Sequence, residues 1–372
     1  MKDSSYSQNI ENMLNSHGFD DQGSKTAHKG ERNTISDVGS KRIPRVIREA
    51  KQELLLSKYA TRAVGAGSRA VEEEADPFRT CFEKDLDKIK HASSFRRLAG
   101  KCQVFLNPTN DMIRTRLTHS IEVAQIAKSI SNYLGANSDL VEAIALAHDC
   151  GHGPGGHASE DVFTPYLPGG FDHAVWGANV VLKPLNLCVE TLDGVRNHSW
   201  KLPTPLTPEA SIVSWADRIA YVCHDFQDAL TQDIVSAKSL NDLFSHIGHT
   251  QSSQIEFFIE SLVTGTLEKG YVSMSSLNAE LLENFRDFNY NNIYLRAESM
   301  ETYDGVVKML GSLVDFYIKN PVSSEPDLEH QEGFTPEFNS VSYVASMTDR
   351  FAIKQAIDLL GYTERNLPKI NY

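Results

Sequence analysis

Residues 141–149, Val-Glu-Ala-Ile-Ala-Leu-Ala-His-Asp, form an apolar run that ends in two adjacent polar groups. The run predicts a buried helix over Val141–Ala147, and Gly151 marks the place where it stops. His148 and Asp149 then lie where regular helix geometry lapses, so both side chains can turn into one pocket. Burying an imidazole and a carboxylate is costly unless they are paired or bind a metal.

Two further predicted helices carry polar residues where apolar ones are expected. His119 opens the run 121–130, whose apolar residues follow helical spacing. Asp217 lies within another apolar helix, Ile212–Leu230. His119 alone is more typical of a packed or capping side chain. Together, two imidazoles and two carboxylates suit a divalent cation. The predicted metal site consists of His119, His148, Asp149 and Asp217.

Longer strings surround these residues. Residues 95–105 are Phe-Arg-Arg-Leu-Ala-Gly-Lys-Cys-Gln-Val-Phe, and residues 114–125 are Arg-Thr-Arg-Leu-Thr-His-Ser-Ile-Glu-Val-Ala-Gln. With residues 143–149 and 216–221, they resemble the HD-domain metal phosphohydrolases and, among these, the deoxyguanosinetriphosphate triphosphohydrolase family. The resemblance runs from about Leu56 to at least Leu230, and more weakly to the C-terminus. It implies an all-α fold with an HD-domain helical core and additional C-terminal helices.

The resemblance also implies a reaction. Such an enzyme attacks the α-phosphorus of a deoxynucleoside triphosphate (dNTP) and releases the deoxynucleoside and intact triphosphate. A divalent metal (Mn, Mg, Co or Fe) can polarise an α-phosphate oxygen and lower the pKa of a bound water. Without a cation, the carboxylate ligands would repel the anionic substrate, so we expect the reaction to require one.

A second polar group follows in residues 152–160, His-Gly-Pro-Gly-Gly-His-Ala-Ser-Glu. Taken alone, this stretch is typical of a surface loop with solvated histidines. The resemblance instead places its side chains at the α-phosphate, with His157 as acid or nucleophile partner and Glu160 as the carboxylate that fixes its tautomer. Whether His157 or a metal-bound water initiates attack stays open. The candidate catalytic residues are His152, His157, Glu160 and His173.

The spacing of Asp217, Tyr221 and Asp225 puts all three on one stripe of a helix. By resemblance, Tyr221 lies against the deoxyribose and leaves no room for a 2′-hydroxyl. Asp225 accepts a hydrogen bond from the 3′-hydroxyl, and Gln103 approaches the same end of the substrate. The alternative is a core tyrosine and a solvated aspartate.

Phosphate charge needs cationic donors, and arginine presents a planar fork suited to phosphate oxygens. By resemblance, Arg116 and Arg218 are the main candidates for triphosphate contacts, and Arg97 and Lys101 lie in the same strings. Any one of the 36 Lys and Arg residues is otherwise more typical of a surface ion pair. Tyr294 and Arg296 resemble a segment that closes the pocket.

Three positions depart from the family pattern. Gly155 stands where an aromatic residue is usual, Cys102 replaces a threonine, and Ala174 replaces an asparagine. The metal ligands are intact, so we expect hydrolysis to be retained while the loss of the aromatic loosens the pocket wall.

Composition limits the remaining possibilities. A net charge of -13 argues against a broad nucleic-acid footprint. No apolar run approaches the ~20 residues that span a bilayer, and the first residues carry no signal-peptide pattern. The five cysteines form no CxxC pair, which favours reduced thiols. We expect a soluble, cytoplasmic protein without membrane contact.

The predicted domains are a flexible N-terminal tail (1–40), an HD-type core (41–235) and a C-terminal helical region packed on the core (236–372). Helical apolar spacing marks 255–263, 306–317 and 345–360 within the last region.

Two other functions stay open beside the dNTP triphosphohydrolase. One is an HD-type 5′-nucleotidase or phosphodiesterase, and the other is a non-catalytic nucleotide-binding regulator. The resemblance further implies a homo-oligomer and, for some relatives, an effector that is a second nucleotide or DNA.

Overall fold

The computed structural model describes residues 3–14, 18–19, 25–26, 35–37, 39–106, 110–321, 335–363 and 365–368. The chain divides into two units, Met1–Ile43 and Pro44–Tyr372. In the first unit, helix α1 spans Asp3–Leu14, and the strands β1 (Gly18–Phe19) and β2 (Lys25–Thr26) pair antiparallel. Within the predicted tail, residues 1–2, 15–17, 20–24, 27–34 and 38 lie outside the described residues.

The second unit is helical, and in its described part the only β-structure consists of isolated bridges. Its α-helices are α2 (Arg45–Glu53), α3 (Cys81–His91), α4 (Ser93–Arg97), α5 (Arg116–Leu134), α6 (Ser138–Ala147), α7 (His157–Phe163), α8 (His173–Trp176), α9 (Val189–Arg196), α10 (Pro208–Thr231), α11 (Asn241–Ile247), α12 (Gln251–Lys269), α13 (Ser276–Asn289), α14 (Ala297–Lys319), α15 (Pro336–Ser346) and α16 (Asp349–Leu360). Short 3-10 helices span Leu98–Gly100, Thr164–Tyr166, Lys183–Leu185 and Ala237–Leu240, and π-helical turns span Gly177–Val181 and Tyr290–Tyr294. The predicted all-α fold is confirmed.

Helix α5 has a clear start and end in the sequence. The Thr115 side chain accepts a hydrogen bond from the Thr118 N–H, which caps the first turn. The helix ends at Gly135, whose φ of 65° is in the left-handed region that favours glycine. The buried face of α5 carries His119 among Val123, Ile126, Ala127 and Ile130.

Helices α6 and α10 complete the centre of the fold. The Asn137 side chain caps α6, which is buried from Leu140 to Ala147 except at Glu142. Thr207 caps α10, and Pro208 occupies its first turn, where a missing N–H is tolerated. Because α6 ends at Ala147, His148 and Asp149 follow at the helix terminus, as the sequence predicts.

Two large hydrophobic clusters fill the second unit. The first joins the apolar faces of α3, α5, α6 and α10 with residues of α11–α13, such as Phe258 and Phe285. The second joins α14–α16 with α7 and α8 through residues such as Phe163, Trp176 and Leu310. The C-terminal helices therefore pack directly behind the segment that carries the candidate catalytic histidines.

The C-terminal helices differ from the sequence prediction at one point. The segments 255–263 and 306–317 lie within α12 and α14. The segment 345–360 is instead divided between α15 and α16, because Thr348 starts a new helix by accepting a hydrogen bond from the Phe351 N–H. Apolar spacing continues across this break, so periodicity alone does not reveal it.

All five cysteines are buried and free of disulfides. Among the described residues, no helix combines the length and apolar composition needed to cross a bilayer.

Candidate active site

The four predicted metal ligands, hereafter the helix group, lie together. They are His119, His148, Asp149 and Asp217. His119 Nε2 lies 3.0 Å from Asp217 Oδ1, which joins α5 to α10. His148 Nε2 lies 3.4 Å from Asp149 Oδ1 and 3.6 Å from Asp217 Oδ1. Three separate helices thus bring two imidazoles and two carboxylates to one point.

The donor set fits a divalent cation. His148 Nδ1 lies 2.7 Å from the Ala145 carbonyl oxygen and donates to it, so Nε2 carries the free lone pair. This buried Nε2 has no hydrogen-bond partner among the described residues, although it lies between two carboxylates. The ligand atoms of His119, His148 and Asp217 all lie within 4.8 Å of one another. A cation bound here would satisfy the unpaired nitrogen and neutralise the carboxylates.

Both carboxylates of the helix group are held in the anionic form. Burial raises the pKa of Asp217, but the hydrogen bond from His119 and the nearby His148 outweigh it and lower the pKa below its usual range. Burial likewise opposes ionisation of Asp149, yet the Arg116 guanidinium holds the pKa of Asp149 well below its usual range. The site is therefore preset with negative charge.

The four candidate catalytic residues form a second group, hereafter the turn group, consisting of His152, His157, Glu160 and His173. Glu160 Oε1 accepts hydrogen bonds from His157 Nδ1 at 3.1 Å and His173 Nδ1 at 2.6 Å. Burial raises the pKa of Glu160, but these two bonds dominate and hold the pKa well below its usual range. Glu160 is thus a buried carboxylate that orients two imidazoles.

The two groups touch through His152. Its Nε2 lies 3.3 Å from Asp149 Oδ1, and its ring stacks on His173 with 3.7 Å between centroids. Burial, reinforced by Arg116, lowers the pKa of His152 well below its usual value. His152 is therefore neutral near pH 7 and bridges the helix group to the turn group.

His198 is a site residue that the sequence analysis missed. It follows α9, and its Nε2 lies 3.2 Å from His173 Nε2, so one of the two nitrogens must carry a proton for this contact to be a hydrogen bond. Its ligand atom also lies within 4.8 Å of those of His148 and Asp149. The segment 197–200, Asn-His-Ser-Trp, has no periodicity or motif spacing that marks this position.

Helix α10 carries the predicted stripe into the same cavity. Asp217, Tyr221 and Asp225 all line a cavity of about 790 Å³, together with Gln103. The Tyr294 hydroxyl donates to Asp225 Oδ2 at 2.5 Å, while Asp225 Oδ1 is buried without a partner. Burial raises the pKa of Asp225 to about 7. Gln103 Oε1 is likewise buried and has no hydrogen-bond partner among the described residues. Asp225 and Gln103 therefore each have an oxygen that is free to accept a hydrogen bond.

The predicted arginines have different surroundings. Arg116 is buried, and its Nη1 donates to Asp149 Oδ2 at 2.8 Å, while Nε and Nη2 have no partner among the described residues. The Arg218 guanidinium lies 3.4 Å from the centre of the Trp200 ring. Both line the cavity, as do Tyr294 and Arg296. Arg97 ends α4 outside the cavity lining, so its contact with substrate stays a prediction.

The Gly155 departure has a structural reason. Its φ of 73° is in the left-handed region, and a β-carbon there would lie 2.5 Å from Val306 Cγ1. Val306, from α14, occupies the space into which a side chain at position 155 would extend. Cys102 and Ala174 are buried packing residues.

Comparison with known proteins gives a consistent result. Residues 116–222 match the HD domain, and residues 272–357 match the phosphohydrolase-associated domain. A deoxyguanosinetriphosphate triphosphohydrolase-like protein of Caldanaerobacter subterraneus subsp. tengcongensis is 37% identical, over 87% of this chain and 96% of the relative. Relatives with the same description from Clostridium tetani and Clostridium perfringens are 34% and 35% identical, over 83% and 81% of this chain and 92% of each relative.

Proposed function

Because this chain belongs to the HD-domain family of deoxyguanosinetriphosphate triphosphohydrolase-like proteins, we propose that it is a metal-dependent dNTP triphosphohydrolase. Family membership supports phosphohydrolysis as the class of reaction. The His/Asp cluster supports a divalent cation as cofactor. The dNTP substrate and the release of triphosphate are the steps added by the proposal.

One observation carries this choice of substrate. Helix α10 brings Asp217 to the helix group and, about one and two turns further, brings Tyr221 and Asp225 into the same cavity. A substrate whose phosphate lies at Asp217 therefore has its sugar beside an aromatic ring and an unpaired carboxylate oxygen. A ring packed on the sugar leaves no space for a 2′-hydroxyl, and Asp225 and Gln103 offer acceptors to the 3′-hydroxyl.

The helix group would hold the cation, which supplies Lewis acidity and a water of lowered pKa at the α-phosphate. Arg116 is fixed by Asp149 and offers its Nε and Nη2 donors to phosphate oxygens. Glu160 accepts the hydrogen bond from His157 Nδ1 and so orients the ring, which leaves His157 Nε2 as the nitrogen that would give a proton to the departing 5′-oxygen. His152, neutral and stacked on His173, is the member of the turn group that contacts the helix group, through Asp149.

Product analysis tests the proposal. The metal-stripped protein is supplied with Mg, Mn, Co or Fe(II), and each of the four dNTPs is incubated and resolved by ion-exchange chromatography. We expect deoxynucleoside and inorganic triphosphate in equal amounts, and no turnover in EDTA. Matched ribonucleoside triphosphates and deoxynucleoside monophosphates are the controls. Orthophosphate or a linear nucleotide as product would support the nucleotidase or phosphodiesterase alternative, and binding without any product would support a regulator.

The proposal includes two partner predictions. We expect a homo-oligomer, which light scattering would detect as a mass that is a multiple of 41.4 kDa. We also expect an effector, either a second nucleotide or DNA. Adding it under conditions in which it is not itself cleaved should change the rate of dNTP hydrolysis.

A further inference from the structure

The catalytic turn, residues Gly151–Gly156, has little local support. Its local backbone bonds are His152 N–H to Asp149 O at 3.0 Å, Gly156 N–H to Gly153 O at 3.4 Å and Ser159 N–H to Gly156 O at 3.0 Å. Gly155 and Gly156 both have positive φ, so neither regular helix nor strand geometry continues through the turn. Yet the turn leads directly into His157, the first residue of α7.

A side chain from the far end of the chain holds this turn. Asp349, the first residue of α16, accepts the Gly155 N–H on Oδ1 at 2.9 Å. Its Oδ2 accepts the Cys102 N–H at 2.8 Å. Asp349 is 5% exposed and does not line the cavity, so it reaches the site through these two backbone groups and through the side chain of Cys102. Cys102 is followed by Gln103, which lines the same cavity as Asp225.

Lys101 connects the same segments from the opposite direction. Its Nζ donates to the carbonyl oxygen of His152 and, at 2.8 Å, to the carbonyl oxygen of Ala345 at the end of α15. A β-carbon at Gly100 would lie 2.7 Å from Thr348 Cγ2, so the chain before Lys101 approaches the α15–α16 junction closely. Desolvation lowers the pKa of Lys101 to about 7 and raises that of Asp349, so both groups are buried at an electrostatic cost.

We propose that Asp349 is a positioning residue of the active site, which fixes the catalytic turn and the Gln103 segment at one distance from each other, with Lys101 as its counterpart. The inference rests on the proposed function for its kinetic readout. The structural part of the inference is independent of that function. In it, a single carboxylate joins the wall that carries His152 and His157 to the wall that carries Gln103. The C-terminal helices thereby become part of the site without touching the substrate.

The sharpest variant is Asp349→Asn, which keeps the shape of the side chain. An amide has one acceptor oxygen, and its NH₂ group would face an N–H, so one of the two backbone donors loses its partner. Asp358→Asn, on the exposed face of the same helix, is the matched control because it removes the same charge from a surface pair with Lys354. Lys101→Met is the second variant, in which the Nζ bonds are lost and most of the volume is kept.

Two readouts are measured on each full-length variant. Amide hydrogen exchange in peptides covering 151–157 should accelerate by about tenfold or more in Asp349→Asn and Lys101→Met, and stay unchanged in Asp358→Asn. Exchange in peptides around His119 and Asp217 should not change. The kcat for dNTP hydrolysis should fall by about tenfold to a hundredfold, with KM and metal affinity within about threefold of wild type.

The two proposals fail in distinguishable ways. Unchanged exchange over 151–157 in Asp349→Asn overturns the positioning role, whatever the kinetics. A fall in kcat that is matched by loss of metal affinity, or by faster exchange throughout the protein, also overturns it, because the effect would then be general destabilisation. A wild-type protein that hydrolyses no dNTP contradicts the proposed function, while hydrogen exchange still decides the role of Asp349.

Discussion

The helix group and the turn group lie side by side but are held in different ways. The helix group lies on α5, α10 and the end of α6, whose apolar faces form the first hydrophobic cluster. In the turn group, His152 lies in the irregular turn, while His157, Glu160 and His173 lie in the short helices α7 and α8. These helices pack on the second cluster, which the C-terminal helices complete. In the helix group, the helices hold the charged side chains close to one another. The catalytic turn instead depends on contacts from distant parts of the chain.

This difference suggests a division of labour between the groups. The helix group would keep its geometry when the turn is disturbed, and would continue to bind a cation. A change in the turn group would impair proton transfer and leave the metal affinity unchanged. Variants of the two groups should therefore separate binding of metal from turnover.

The largest effect is expected for His148→Ala. The change removes the unpaired Nε2 and leaves the Asp149 and Asp217 carboxylates as neighbours without an imidazole between them. We expect metal affinity to collapse and turnover to fall by at least about 10³-fold. Calorimetric titration with Mn²⁺ and steady-state kinetics measure the two effects. His246→Ala, an exposed histidine in α11, is the control. Metal affinity near wild type in His148→Ala would break the comparison, because the helix group would not be the metal site.

The next effect is expected for His157→Gln. Glutamine keeps a polar group near Glu160 but cannot deliver a proton, so kcat should fall by about 10² to 10³-fold. Metal affinity should stay within about threefold of wild type, because His157 is not one of the proposed metal ligands. Calorimetry and the pH dependence of kcat provide the measurement. If the metal affinity fell in parallel with kcat, the two groups would be one functional unit.

The same contrast explains what the sequence could predict. Helical spacing placed His119 on the buried face of α5 and Asp217 within α10, and the run before His148 indicated where its helix ends. Likewise, spacing of four residues placed Asp217, Tyr221 and Asp225 in one cavity. These are local relations, which a one-dimensional pattern carries.

Contacts between residues that are far apart in the chain could not be predicted from the sequence. His198 meets His173 only because α9 packs beside α8, and no spacing encodes that distance. Asp349 reaches Gly155 across 194 positions of chain. From the sequence, Gly155 is interpreted as the loss of an aromatic residue. The structure shows that Val306 occupies the space into which a side chain at position 155 would extend. The Arg116 bond to Asp149 is similar, because the sequence predicts a phosphate-binding arginine and cannot show which carboxylate holds it.

A smaller effect is expected for Tyr221→Ala, which tests the sugar end of the cavity. Removing the ring creates room for a 2′-hydroxyl, so the ratio of kcat/KM for dGTP to that for GTP should fall by about tenfold. Metal affinity should not change, because Tyr221 lies one turn beyond Asp217 on α10. Tyr133→Ala, an exposed tyrosine at the end of α5, is the control. An unchanged ratio would place deoxy selectivity elsewhere in the wall.

The smallest effect is on stability and concerns Asp225, on the same helix as Asp217. Burial raises the pKa of Asp225 from its ordinary value of 3.8 to about 7. The folded protein therefore keeps a proton that the unfolded chain releases, so between about pH 4 and pH 7 each rise in pH removes stability. Asp225→Asn cannot ionise and should stabilise the metal-free protein by about 1 to 3 kcal/mol at pH 8, with no gain near pH 4. Urea unfolding in EDTA at the two pH values measures this difference, with Asp358→Asn as an exposed control. Equal stability of Asp225→Asn and wild type at pH 8 would mean that Asp225 ionises without cost, as a residue open to water does, and that the sugar end of the cavity is far wetter than the helix group beside it.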